Sequence, residues 1–184
     1  VDTSKHVPGT GDRRSLLWLG RICPEKGTHL ALRVARQADV PLIVAGPVHP
    51  FAYHRDYFQR EVQPLLDCQR VYVGPVDLDE KAKLLSSARA LLIPSLAAET
   101  SSLVAMEAAS SGTPVIAFRS GALPEIVRHE STGFIAEDVS GMIEWVKRTD
   151  DISPTRCREY ALENFSSERM IEDYIRLYGD LLGV

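Results

Sequence analysis

Residues Pro94–Phe118 read PSLAAETSSLVAMEAASSGTPVIAF, and this stretch decides the reading of the chain. A Thr100-Ser101-Ser102 cluster opens a helix expected over Ser101–Ser111, Gly112 closes it, and a buried strand follows at Pro114–Phe118. Leu103, Val104, Ala105, Met106, Ala108 and Ala109 cover nearly every face of the helix, so it is expected to be buried. Glu99 precedes the helix and Glu107 lies within it, eight residues on. An unpaired buried carboxylate is costly, so Glu107 is expected to have a defined partner. A structural ion pair or a cap would satisfy it. The geometry offers a second reading. Eight helical residues span about 12 Å, close to the distance from the sugar of a nucleotide-sugar, across its diphosphate, to its ribose. The helix N-terminus between the glutamates offers free N–H groups and a partial positive charge, which suit a diphosphate. One helix can then meet a sugar with Glu99, a diphosphate with the amides around Ser102 and Leu103, and a ribose with Glu107.

Outward from this stretch, apolar runs alternate with amphipathic segments. Strands are expected at Ser15–Leu19, Pro41–Ala45, Arg70–Val73, Ala90–Ile93, Pro114–Phe118 and Gly133–Ala136. Helices are expected at Gly27–Ala38, Tyr53–Leu66, Leu78–Ser87, Ser101–Ser111, Gly141–Lys147, Pro154–Phe165 and Ser167–Leu182. Short continuous apolar strands separated by helices imply an α/β, Rossmann-like three-layer domain with a mainly parallel sheet. Ligands of such sheets bind at the carboxyl ends of the strands. Arg21 and Lys26 flank the first strand–helix turn on that edge, where two positive charges suit the charge that builds on a departing phosphate. A solvated basic turn is the plain alternative. The loop is neither a P-loop nor a GxGxxG turn, because Lys26 precedes Gly27 and Gly20 stands too far from it.

These residues resemble the C-terminal half of a family 4 glycosyltransferase, a retaining enzyme of GT-B fold. The resemblance rests on Gly20-Arg21-x4-Lys26-Gly27, Val71-Tyr72-Val73-Gly74, Glu99-x7-Glu107 with the following Gly-Thr-Pro-Val-Ile-Ala, and Gly121-Ala-Leu-Pro-Glu125 before Thr132-Gly133-Phe134. It runs from Leu16 to the C-terminus. It implies a donor-binding domain over 15–184, with 167–182 a closing helix and 1–14 a linker. Its ligand would be a nucleotide-diphosphate sugar, a UDP-sugar in the first place. It implies catalytic roles for Glu99, Arg21 and Lys26, and donor contacts from Gly20, Arg21, Lys26, Gly74, Pro75, Glu99, Ser102, Leu103 and Glu107. The resemblance further implies no metal and no cofactor. The acceptor would sit on a second, N-terminal Rossmann-like domain absent from this chain, so the chain alone would not transfer sugar. Where the family often carries Gly-Phe-Gly after the first glutamate, this chain has Thr100-Ser101-Ser102. A nucleotide-sugar binding module without turnover and a GT-B epimerase or hydrolase are the other functions compatible with these motifs.

The rest of the composition narrows the classes. At 184 residues, 45% hydrophobic and 25% charged, the chain suits one globular domain. A net charge of −4 gives no support to nucleic-acid binding. No apolar run reaches the length of a membrane span and no signal-peptide pattern opens the chain, so a cytoplasmic setting is expected, peripheral to a membrane at most through the second domain. The opening on Val1 suggests a fragment or a processed protein. Cys23, Cys68 and Cys157 are scattered and form no CxxC pair, so a reducing compartment and no structural zinc are expected. Asp77-Leu78-Asp79 has the spacing of a metal-binding DxD, but Glu80 three residues after Asp77 makes a capping box the expectation. His49 and His54 lack helical metal-ligand spacing, and no cysteine or carboxylate is expected to complete a set with them; His49, after Gly46-Pro47-Val48, is a candidate donor contact.

Overall fold

The computed structural model describes residues 1–9, 11 and 13–183. Among these, six apolar runs form a single sheet: β1 (Leu16–Leu19), β2 (Leu42–Ala45), β3 (Arg70–Gly74), β4 (Leu91–Ile93), β5 (Val115–Phe118) and β6 (Gly133–Ala136). Their order is β3-β2-β1-β4-β5-β6 and every pairing is parallel. Side chains alternate between the faces. Leu16, Trp18, Val44, Leu92 and Ile116 pack with Leu32, Ala35, Met142 and Val146 from α1 (Thr28–Gln37) and α6 (Val139–Lys147). Leu17, Leu91, Val115 and Ala117 pack on the opposite face with Leu85, Ala105, Ala108 and Leu123. Those come from α3 (Leu78–Ser87), α4 (Leu103–Ser110) and α5 (Leu123–Ile126), and α7 (Pro154–Phe165) lies over α4. Both faces are covered over the interior strands, which is why these read as continuous apolar runs, whereas the edge strand β3 leaves Val71 and Val73 exposed. The expected three-layer parallel architecture is the observed one.

Local chemistry sets the element ends. Asp77 Oδ1 accepts from the Glu80 amide at 2.8 Å while Glu80 Oε2 accepts from the Asp77 amide at 3.1 Å, so the DxD is the expected capping box. Asp138 Oδ1 caps the Gly141 amide at 2.8 Å, which starts α6 two residues before the expected Gly141. The helix expected over Tyr53–Leu66 is interrupted. Its α-helical part is α2 (Ala52–Tyr57); Phe58–Val62 is wound as a π-helix, with the Gln63 amide donating to the Phe58 carbonyl; and Gln63–Leu65 is a 3-10 turn. Pro64 has no N–H to donate and its ring crowds the preceding turn, so regular winding cannot run through it.

The two terminal segments meet the domain differently. The opening segment, expected as a linker, is tethered to the domain: Ser110 Oγ donates to the His6 carbonyl at 2.9 Å, and Arg158 Nη1 donates to the Thr3 carbonyl at 2.9 Å. The last helix, α8 (Ser167–Leu182), the expected closing helix, has no buried residue. Met170, Tyr174, Leu177 and Leu181 of one stripe and Ile171, Ile175, Tyr178 and Leu182 of the other are all exposed. Ser166, extended at ψ 149°, breaks the path between α7 and α8 and turns α8 off the body. No helix among the described residues is long and apolar enough to cross a membrane.

Ile116 is fully buried in the interior strand β5. Ile116→Ala is expected to cost about 2–5 kcal/mol in urea unfolding, whereas Leu162→Ala on exposed α7 surface should stay within about 0.5 kcal/mol. Equal costs would contradict the placement of β5 in the core.

Candidate functional site

The sheet order reverses between β1 and β4, and the loops leaving these strands diverge to opposite faces. Such a switch point opens a crevice at the carboxyl edge. Three loops are drawn together there. The Leu96 amide donates to the Glu25 carbonyl at 2.8 Å, Ser120 Oγ donates to the Ala97 carbonyl at 2.6 Å, and the Ala122 amide donates to the Glu99 carbonyl at 2.7 Å. Two glycines make the approach possible. Gly27 has φ +64°, and a Cβ there would stand 2.1 Å from the Pro94 carbonyl oxygen; Gly121 has φ +54°, and a Cβ there would stand 2.1 Å from the Glu99 carbonyl oxygen.

Between these loops lies a cleft of about 310 Å³ lined by Gly20, Lys26, Lys81, Glu99, Ser102, Leu103 and Glu107, with Trp18, Leu92 and Ile93 at its base. Each glutamate is held by a lysine. Lys26 Nζ stands 2.6 Å from Glu99 Oε1, and Lys81 Nζ stands 2.7 Å from Glu107 Oε1. His6 Nε2 approaches the same Glu107 oxygen at 3.6 Å. The helix α4 begins at Leu103, two residues later than expected, and the Ser102 hydroxyl makes no capping bond. Ala105 and Met106 donate to the Ser102 carbonyl, so the amides of Leu103 and Val104 have no helical partner at the mouth of the cleft. The arrangement offers two carboxylates for hydroxyl donors, and between them amides and an ammonium for an anion.

Six of the residues singled out in the sequence therefore share one cleft: Gly20, Lys26, Glu99, Ser102, Leu103 and Glu107. Arg21 is exposed on an adjoining cleft of about 330 Å³ that shares Lys26 and Glu99. It makes no ion pair among the described residues. Gly74 and Pro75 line neither cleft; the Gly74 carbonyl instead accepts from the Gly46 amide at 2.8 Å, tying the loops after β2 and β3. His49 also lines neither, and its ring lies 6.3 Å from Phe51 and 6.0 Å from His54. Two residues were missed. Lys81 and His6 reach Glu107 only through the packing of α3 and the opening segment on α4, which no local spacing encodes. The expectation for His54 is corrected: the β1–α1 loop brings Cys23 and Glu25 to it, and the potential metal-ligating atoms of the three lie within 4.8 Å of one another. The chain separation between residues 25 and 54 hides this set from a motif search.

The chain belongs to the group 1 glycosyl transferases: the profile of that family matches residues 13–149. An uncharacterised glycosyltransferase of Methanocaldococcus jannaschii is 31% identical over 160 residues, 83% of this chain and 39% of its own length. Sucrose-phosphate synthase of Thermosynechococcus elongatus superposes with a TM-score of 0.85 at 25% identity, over 100% of this chain and 51% of that one. The Anabaena protein HepE, solved in complex with UDP, superposes with a TM-score of 0.86 at 16% identity, over 98% of this chain and 56% of that one. The fold is that of GT-B glycosyltransferase C-terminal domains. The chain spans less than half the length of the curated relatives it matches.

The His6 imidazole has its pKa lowered, by burial first; Glu107 opposes the shift and Lys81 adds to it. Folding thus favours neutral His6, so this contribution to stability is full above the ordinary histidine pKa and is lost as pH falls through the lowered folded value. Lys81→Met is expected to raise the His6 pKa and Glu107→Gln to lower it further, read by NMR titration of the imidazole. Shifts of the same sign in both variants would mean that His6 does not sense this ion pair.

Proposed function

We propose that this chain is the donor-binding half of a retaining, family 4 glycosyltransferase that moves a hexosyl group from a UDP-sugar to an acceptor. The observation that carries the reading is the single cleft in which Glu99 and Glu107 flank the open amides of α4. The complexes of HepE with UDP and with UDP-glucose, on the same fold, support a nucleotide-sugar as the ligand class. In this reading Glu99 accepts hydrogen bonds from sugar hydroxyls and Glu107 from the ribose, its free oxygen aimed by the bond that Lys81 makes to the other. As the anomeric C–O bond breaks, negative charge grows on the departing diphosphate. The α4 N-terminus, Lys26 and Arg21 stabilise that charge without a metal ion. Lys26 is positioned for this by Glu99, and moves its ammonium toward phosphate when the donor arrives. Gly20 lets the diphosphate approach the end of β1, and Gly74 with Pro75 offers backbone to the base.

The acceptor and the opposite wall of the site are assigned to a second Rossmann-like domain, and the exposed stripes of α8 to contact with it. The chain alone should bind UDP and transfer no sugar.

Calorimetry with uridine, UDP and UDP-sugars tests the roles. Lys26→Ala and Arg21→Ala should each weaken UDP by about 1.5–3 kcal/mol, the range for a hydrogen bond to a charged group, and leave uridine nearly unchanged. Glu107→Gln should weaken uridine and UDP alike, and Glu99→Gln only the sugar-bearing ligand. UDP binding should survive EDTA. Equal losses for uridine and UDP in the basic variants would make Arg21 and Lys26 structural residues. Turnover by the chain alone would remove the need for a second domain.

Hydrogen exchange tests the assignment of α8. Its amides should exchange far faster than those of β1, β4 and β5, and slow when the second domain is supplied. Protection equal to the central strands in a monomer would show that α8 holds no surface for a partner.

A further inference from the structure

Two buried groups beside the β1–α1 loop take no part in the donor reading. Cys23 and His54 are each 2% exposed, and His54 Nδ1 has no hydrogen-bond partner. Leaving a buried ring nitrogen unpaired costs free energy, so the site has an unmet demand for a cation or a donor. Exposed Glu25, on the Pro24–Lys26 turn, completes a set whose ligand atoms lie within 4.8 Å of one another. The three residues line the cleft of about 330 Å³ beside the catalytic one. Their sources are independent: Cys23 and Glu25 come from the loop after β1, and His54 from α2.

We propose that Cys23 Sγ, His54 Nδ1 and Glu25 form a binding site for a borderline transition-metal dication, Zn²⁺ in the first place. One thiolate, one imidazole and one carboxylate make a mixed N/O/S set suited to zinc and poorly suited to Mg²⁺ or Ca²⁺. Ligand atoms sharing a tetrahedral zinc stand roughly 3.3–3.7 Å apart, given bonds of about 2.0–2.3 Å. Contraction from 4.8 Å by about an ångström reaches that spacing, and the exposed side chain of Glu25, already hydrogen-bonded to the Cys23 thiol, can make most of the movement. As the S–Zn bond forms, the thiol proton leaves to solvent, and the zinc takes the lone pair of the unpaired imidazole nitrogen. The fourth position faces the open cleft and takes a water. The ion ties the loop carrying Arg21 to α2. It is a structural clasp and not a participant in sugar transfer, so the proposal stands apart from the donor reading.

The test uses the whole chain, stripped with a chelator and dialysed against Zn²⁺ or Co²⁺. Elemental analysis should find one Zn²⁺ per chain, and Zn²⁺ should raise the melting temperature. Co²⁺ should give the near-ultraviolet charge-transfer absorption of a Co–thiolate bond. Cys23→Ser should abolish that absorption, and His54→Gln and Glu25→Gln should each weaken metal binding at least tenfold. Glu25 lies on an exposed turn, so its variant stays folded even where the His54 variant does not. Cys68→Ser, which removes the one exposed thiol among the described cysteines, should change nothing, and Lys26→Ala should keep the metal while binding UDP more weakly. Absorption that persists in Cys23→Ser, or metal affinity unchanged in Glu25→Gln, would overturn the proposal, as would wild-type protein that retains no Zn²⁺ after dialysis.

Discussion

The site depends on how closely three backbone loops approach at the carboxyl edge of the sheet. Glu25, Ala97 and Glu99 each offer a carbonyl to a donor from a different loop, and the contacts hold Lys26 and Glu99 within 2.6 Å. A side chain at Gly27 or Gly121 would strike a main-chain carbonyl, which cannot swing aside as a flexible side chain can. Both glycines also adopt positive φ, so any replacement adds backbone strain to the clash. Separating these loops would part the lysine from the glutamate and open the mouth of α4.

Pairing each glutamate with a lysine has an electrostatic consequence. Glu99 and Glu107 would otherwise be carboxylates in a half-buried, largely apolar crevice, and removing one partner from such a pair is more damaging than the net worth of the pair suggests. The lysines hold the carboxylates in place before any ligand arrives. They also leave acceptor capacity free, since a carboxylate has room for about four hydrogen bonds and each lysine occupies one oxygen. Pre-organisation of this kind reduces the entropy that ligand binding must otherwise lose.

Most strands were legible because they are buried on both faces and so read as unbroken apolar runs; the edge strand β3, which leaves Val71 and Val73 exposed, was legible from its β-branched and aromatic residues. The ends of α3, α7 and α8 were legible because Asp77, Ser153 and Ser166 cap them with their own side chains. The start of α4 was misplaced because Ser102 caps through its backbone alone, and its hydroxyl sent a signal that the structure does not use. Winding around Pro64 was hidden because a π-helix has no residue signature apart from the proline that provokes it. In the site, Glu99, Lys26 and Glu107 were visible through spacing along one loop and one helix. Lys81, His6 and the Cys23–Glu25–His54 cluster were not, because each depends on elements that meet only after the sheet has formed.

The energetics of α8 follow from the same distinction between local and long-range terms. A 16-residue helix is near the length at which isolated helices are marginal in water. Its local support is an N-cap from Ser166, worth about 1 kcal/mol, and the Arg169–Asp173 and Asp173–Arg176 ion pairs, worth about 0.2–0.5 kcal/mol each. Gly183 ends it in the left-handed conformation at φ +72°, without the cost a side chain would add. None of these terms involves burial, and burial supplies most helical stability in proteins. Its first turn is anchored by Arg169 Nη1 to the Glu163 carbonyl at 2.5 Å and by the Ser167 amide to the Val1 carbonyl at 3.1 Å. Its stability therefore falls toward Leu182, while the eight apolar side chains along it form a continuous surface whose burial would stabilise the helix more than all its local terms together.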